Sequence, residues 1–347
     1  MNAVEPWPRS AGPREDRSAA DPGVPAPGLD WERVVRGALL SRALDDLEET
    51  RLLPARRLFY QFSARGHEVT QAMLAQYLTG PRDAVGAYYR SRPLLLALGL
   101  PCADALAGSL MRANGASGGR DIGVVFNWPR AEGACVLPAC GGVGAQYTPA
   151  AGWAQAIRYR ALVLGDRRYE HCIAVAHGGE ASTATNGFWA ALNLATTQRL
   201  PLLLFIEDNG YGISVTSDWQ TPGGNIAENL RAFSGLYALE ADAAEPMRAA
   251  EAIAAAVNHV RVGEGPALLR LRVPRLCGHS GQDTQTYKSA EQIDAERARD
   301  PLAALKRMLQ ERGLSAARWE ALEREAASSV EAALAEAERQ PPADPDS

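Results

Sequence analysis

Cysteine is scarce in this chain and shows no pairing in its spacing. Cys102, Cys135, Cys140, Cys172 and Cys277 are the only five, and no two form a Cys-x-x-Cys step. That excludes a zinc ribbon and a disulfide framework, and predicts reduced thiols in a cytoplasmic setting. Basic residues are not in excess: 36 Lys and Arg against 41 Asp and Glu leave a formal charge of −5. Such a balance offers no broad basic face for nucleic acid. Apolar runs are short, none near the roughly 20 residues of a membrane-spanning helix. The start of the chain carries no signal-peptide core. Two nucleotide-binding signatures are also missing, Gly-x-Gly-x-x-Gly after a first strand and a Walker-type Gly-Lys-Ser/Thr. No internal repeat is present.

What remains reads as one α/β domain with helical extensions. Residues 1–30 are rich in Pro, Gly and charge and predict a disordered arm. Residues 31–340 carry the periodic patterns, and residues 341–347 begin with Pro341-Pro342 and predict a disordered tail. Helical spacing is expected from Trp31 to about Leu53, Val69 to Leu78, Trp153 to Val163, Thr185 to Leu200, Pro246 to Val260, and through the charged stretch from Glu291 to Arg339. Short apolar runs, Cys172 to Ala176 and Leu202 to Ile206, suit parallel strands buried on both faces. Ala267 to Val273 alternates and reads as a third strand. The expected fold is therefore a mainly parallel sheet flanked by helices.

Two loops follow the first two strands, His177-Gly178-Gly179-Glu180-Ala181-Ser182 and Glu207-Asp208-Asn209-Gly210-Tyr211-Gly212-Ile213-Ser214. The segment between them places Phe188, Ala191, Leu192 and Ala195 on one helix face. Strand, helix and strand in one sheet form a right-handed crossover, so both loops leave the carboxyl edge, where open α/β sheets bind ligands. Gly178-Gly179 permits a tight turn and close approach by an anion. Amides at the next helix start favour phosphate. An acidic residue beside a diphosphate makes sense with a hard cation between them. The Glu180 carboxylate, the Asn209 amide oxygen and a carbonyl within Asn209-Gly210-Tyr211 are suitable ligands for Mg²⁺ or Ca²⁺. Taken singly, each loop also reads as an ordinary turn with a solvated tip. Their joint placement favours a clamp.

The loop after the third strand, Pro274 to Asp283, joins them at the same edge. His279 can donate to phosphate or transfer protons near neutral pH. Arg275 can fork onto phosphate oxygens, and Asp283 can orient His279 or cap the loop.

The Gly179-Glu180-Ala181-Ser182 turn, the 29 residues from Glu180 to Asn209 and Glu207-Asp208-Asn209-Gly210-Tyr211-Gly212-Ile213-Ser214 together resemble the thiamine diphosphate motif. More narrowly, the chain resembles the α-type half of 2-oxo acid dehydrogenases, with a lean toward branched-chain (2-oxoisovalerate) members. Gly278-His279-Ser280 with Asp283 and Tyr287-Lys288 resembles that family's active-site loop. Gly66-His67-Glu68, Tyr88 to Pro93 and Gln220 to Gly224 are similar to it as well. The resemblance implies a thiamine-diphosphate-binding fold and assigns roles. Mg²⁺ would be held by Glu180, Asn209 and the Tyr211 carbonyl. The diphosphate would meet Tyr89, Arg90, Arg275 and His279, with Gly179, Ala181 and Ser182 lending backbone. Val143 would lie near the bend of the cofactor, and His279 would also act in catalysis. It further implies a lipoyl-bearing acyltransferase as acceptor, and a β-type subunit supplying the other half of the site, two α with two β, since the chain carries one such domain.

The sequence departs from the family pattern in places. Gly179-Glu180-Ala181 stands for Gly-Asp-Gly, and Asp208 for a first Asn. Cys140-Gly141-Gly142 stands for Ser-Ser-Pro, and Asn127-Trp128-Pro129 for a His-bearing segment. These leave open a pyruvate or acetoin substrate, or a non-catalytic paralogue serving binding or assembly.

Overall fold

A computed structural model describes residues 28–113, 115–130, 132–344 and 346. Six parallel strands make its main sheet: β1 (Ala84–Gly86), β2 (Cys135–Val136), β3 (Ala174–Gly179), β4 (Leu202–Asp208), β7 (Tyr237–Asp242) and β8 (Ala267–Arg272). Their order is β2-β1-β3-β4-β8-β7. A separate antiparallel hairpin, β5 (Tyr211–Gly212) with β6 (Val215–Thr216), adds a small second sheet that the sequence reading did not anticipate. Every residue of β4 is buried, as expected of a strand covered on both faces.

One helical layer is formed by α1 (Trp31–Leu47), α2 (Glu68–Tyr77), α3 (Arg92–Ala97), α4 (Cys102–Ser109) and, later in the chain, α8 (Pro246–Arg261). On the other face, α5 (Tyr147–Leu162), α6 (Asn186–Gln198) and the short α7 (Ile226–Asn229) pack against alternate residues of β3 and β4. The expected apolar face of α6 is realised: Phe188, Ala191, Leu192 and Ala195 are all buried. Thr185 caps this helix by accepting the Phe188 N–H. Arg199, in the left-handed conformation, ends it before Pro201.

Several expectations are corrected. The first helix does not run regularly to Leu53; it widens into a π-turn, Glu48–Leu52. There Glu48, with Asp45, turns inward onto the buried Arg92. The charged stretch after Glu291 is three helices, α9 (Ala290–Arg297), α10 (Pro301–Glu311) and α11 (Ala316–Arg339). Asp300-Pro301 and Gly313 separate them. β3 and β4 run three and two residues further than expected, so Gly178-Gly179 is extended strand and not a tight turn. Gly178 is required for space: a Cβ there would lie 2.5 Å from the Tyr147 hydroxyl.

Of the disordered arm expected over residues 1–30, residues 1–27 lie outside the described residues; Asp30 caps α1 by accepting the Arg33 N–H. The tail is ordered at its start, because the Ala113 and Ala343 N–H groups donate to Pro341 and Met111 carbonyls. Pro345 and Ser347 lie outside the described residues. Among those described, no helix is long and apolar enough to cross a membrane.

Candidate active site

Four neighbouring strands, β1, β3, β4 and β8, deliver the candidate residues to one edge. In-register pairing sets Gly179 opposite Glu207, so Glu180, one residue past β3, and Asn209, one residue past β4, leave the same edge side by side. The Asn209 N–H donates to Glu180 Oε2 at 3.3 Å. Gly210 follows with a φ of +81°, which turns the chain back at once. That turn lets the Tyr211 N–H donate to Asn209 Oδ1 at 3.2 Å. The two loops therefore meet, as their sequence placement requires.

Glu180 is the most exacting group at this edge. It is buried, and its Oε1 has no hydrogen-bond partner. Burial, with the Asp208 carboxylate adding to it, pushes the Glu180 carboxyl up to about 8. A buried carboxylate left this way is costly unless a cation compensates it. Oxygen donors from Glu180, Asn209 and a nearby carbonyl suit a hard divalent cation, so the donor set fits the group that the resemblance implies. No cluster of three or more His, Cys, Asp or Glu able to hold a metal occurs among the described residues. Such a site would thus rest on one carboxylate with neutral oxygens. Asp208 pairs with Arg270 at 2.6 Å and accepts the Gly210 N–H at 2.8 Å.

Ser182 lies in the 3₁₀ turn Glu180–Ala184 together with Ala181. Its hydroxyl donates to the Gly179 carbonyl at 2.6 Å and meets the Tyr147 hydroxyl at 2.5 Å. Tyr89 and Arg90 lie in the loop between β1 and α3. Arg90 is buried, its guanidinium donating to the carbonyls of Ser63 and His279, with Tyr89 beneath it at 5.3 Å. The His279 ring packs edge-on against Tyr89 and Phe62, each 5.6 Å away. Burial, then Arg90 and Arg275, lowers the His279 imidazole to about 4, so it is neutral near pH 7.

Arg275 departs from its expected fork geometry. One terminal nitrogen donates to the Ile213 carbonyl at 2.8 Å and the other to the Tyr287 hydroxyl. Its Nε is buried without a partner, and the guanidinium stands over the Tyr211 ring at 5.2 Å. Lys288 stands over the same ring at 4.7 Å, so Tyr211 meets two cations. Of the two roles open to Asp283, the capping one is realised: its carboxylate accepts the N–H groups of His279 and Gln285 and the Tyr287 hydroxyl. Val143 is 64 % exposed. It adjoins Gly144, which packs closely on Thr185 at the start of α6.

Sequence reasoning missed the centre of the polar network behind this edge. Glu207, fully buried, accepts from Thr70 Oγ1 at 2.5 Å, Gln71 Nε2 at 2.8 Å, His67 Nδ1 at 2.9 Å and His177 Nε2 at 3.0 Å. Burial alone would raise its pKa, but His67 and His177 outweigh burial and hold it well below the usual carboxylate range. The available signal was a glutamate inside an otherwise apolar central strand, since a buried charge must find partners.

Residues 36–346 match the model of the family described as dehydrogenase E1 component. The chain is 28% identical over 285 residues to the 2-oxoisovalerate dehydrogenase subunit alpha of Bacillus subtilis, covering 80% of this chain and 81% of that one. It is 30% identical over 282 residues to the pyruvate dehydrogenase E1 component subunit alpha of Zymomonas mobilis, covering 80% and 76%. The corresponding pyruvate dehydrogenase subunit of Staphylococcus aureus is 27% identical over 290 residues, covering 81% and 71%. Sheet order, site edge and family match agree, and the chain belongs to the dehydrogenase E1 component family.

Proposed function

We propose that this chain is the α subunit of a thiamine-diphosphate-dependent 2-oxo acid dehydrogenase and anchors the cofactor's diphosphate through Mg²⁺. The observation that carries the reading is the unpartnered, buried Glu180 Oε1 beside Asn209. Glu180, Asn209 and the Tyr211 carbonyl would hold the cation. Tyr89, Arg90, Arg275 and His279, with the backbone at Gly179, Ala181 and Ser182, would surround the diphosphate, and Val143 would lie by the cofactor's bend. Bound thiamine diphosphate supplies the nucleophilic carbon and electron sink for decarboxylation. The chain's own contribution is to fix the anion, exclude water with Tyr88, Tyr89 and Phe62, and offer a neutral His279 as a proton carrier or acyl-transfer aid at the reacting end. Arg275 must exchange its contact with Ile213 or Tyr287 to reach an anion.

The site is half of a whole. Apolar Ile213, Val215 and Trp219 stand 59, 46 and 82 % exposed on the segment that follows the clamp, which supports coverage by a second chain. We read that chain as a β-type subunit in a cytoplasmic assembly of two α with two β, handing the acyl group to a lipoyl-bearing acyltransferase. A branched-chain 2-oxo acid is the preferred substrate on the motif details. Pyruvate is the competing one, since relatives of both kinds lie at 27–30% identity.

Decarboxylation by the chain with its β-type partner, thiamine diphosphate and Mg²⁺ tests this directly. Turnover of 3-methyl-2-oxobutanoate above pyruvate and acetoin is expected, with none from the α chain alone. Faster turnover of pyruvate or acetoin would move the substrate assignment. Turnover by the isolated chain would overturn the half-site reading, and no turnover of any of the three would leave a binding or assembly role.

A further inference from the structure

Four donors on one buried carboxylate satisfy Glu207, but one of them does more than balance charge. His67 turns Nδ1 toward Glu207 at 2.9 Å and Nε2 toward Asn209 Nδ2 at 3.4 Å. In the neutral ring the nitrogen facing the carboxylate carries the one proton, so Nε2 is left as an acceptor. An acceptor there selects the amide's NH₂ end and rejects its oxygen. Asn209 is thereby held with Oδ1 turned to the Tyr211 N–H, while its own backbone N–H reaches Glu180. His177 pins the same carboxylate from β3, its Nδ1 meeting Ser91 Oγ at 2.8 Å. Gln71 braces it from α2 while also donating to the Arg90 carbonyl at 3.0 Å.

We propose that Glu207 and His67 are positioning residues for the cation clamp, fixing the Asn209 amide with its nitrogen on His67 and its oxygen on the side of the Tyr211 N–H, where it can serve the cation. This rests on the reading of Glu180 and Asn209 as metal ligands. Such outer partners orient the ligand that touches the ion, and their loss commonly weakens metal binding by about 10- to 100-fold. Glu207→Gln presents an amide where the anion stood and lets the His67 ring take the other tautomer. His67→Leu removes the acceptor outright.

The test measures the Mg²⁺ concentration needed for half-maximal thiamine diphosphate binding by calorimetry, using the complex with the β-type partner. Melting of each complex without Mg²⁺ is recorded alongside. Both variants are expected to raise the Mg²⁺ requirement by about 10- to 100-fold. Leu74→Ala, on the buried face of α2, which begins just after His67, is expected to lower the melting temperature and leave that requirement at the wild-type value. If Glu207→Gln does not fold, His67→Leu decides. A wild-type Mg²⁺ requirement in His67→Leu would overturn the proposal, as would an equal rise in Leu74→Ala. Failure of the wild-type complex to bind thiamine diphosphate at any Mg²⁺ concentration would instead overturn the reading of the clamp.

Discussion

The chemistry at this edge depends on how individual groups are charged. His279 is lowered from 6.5 to about 4 by burial and by the neighbouring Arg90 and Arg275. A histidine with a depressed folded-state pKa binds fewer protons folded than unfolded between those values, so its contribution to stability falls as pH drops from 6.5 toward 4. His279→Gln is therefore expected to flatten the pH dependence of denaturant stability in that window, with little change above pH 7. An unchanged slope would mean that the ring is solvated in solution. At this scale the legible residues were those in short polar runs beside strands: Glu180, Asn209, Arg275 and His279. Glu207 stood in plain view inside the second of those runs, but its role depends on Thr70 and Gln71, well over a hundred residues away in sequence. No local spacing encodes that meeting.

Among the elements, α6 was legible because Phe188, Ala191, Leu192 and Ala195 repeat at helical spacing and Pro201 follows the helix. Phe188 is wholly buried against the Tyr147 ring at 5.2 Å. Phe188→Ala is expected to cost about 3–5 kcal/mol in denaturant unfolding, and a loss below about 1 kcal/mol would show that this face repacks. β7 escaped because its pattern, Tyr237-Ala238-Leu239-Glu240-Ala241-Asp242, is that of a half-buried edge strand. It carries acids that pair with Arg270 and Arg299. β1 and β2, three and two residues long, are too short to show any period. β1 is placed by pairing to β3 and β2 by pairing to β1, which only the folded sheet supplies. The π-turn at Glu48 likewise depends on a partner, Arg92, from another helix.

For the whole molecule, a parallel sheet with its ligand edge at the strand carboxyl ends followed from the strand–helix–strand order alone. The helical layer followed less completely, since α11 lies along α1 and α4 and its register is set by tertiary packing. The central claim is that the edge holds a diphosphate through a cation gripped by Glu180 and Asn209. Calorimetric titration of thiamine diphosphate into the complex with the β-type partner, with and without Mg²⁺, tests it most directly. The account predicts Mg²⁺-dependent binding that is lost in Asn209→Ala and in Glu180→Gln. Binding that is independent of Mg²⁺, or unchanged in those variants, would contradict it.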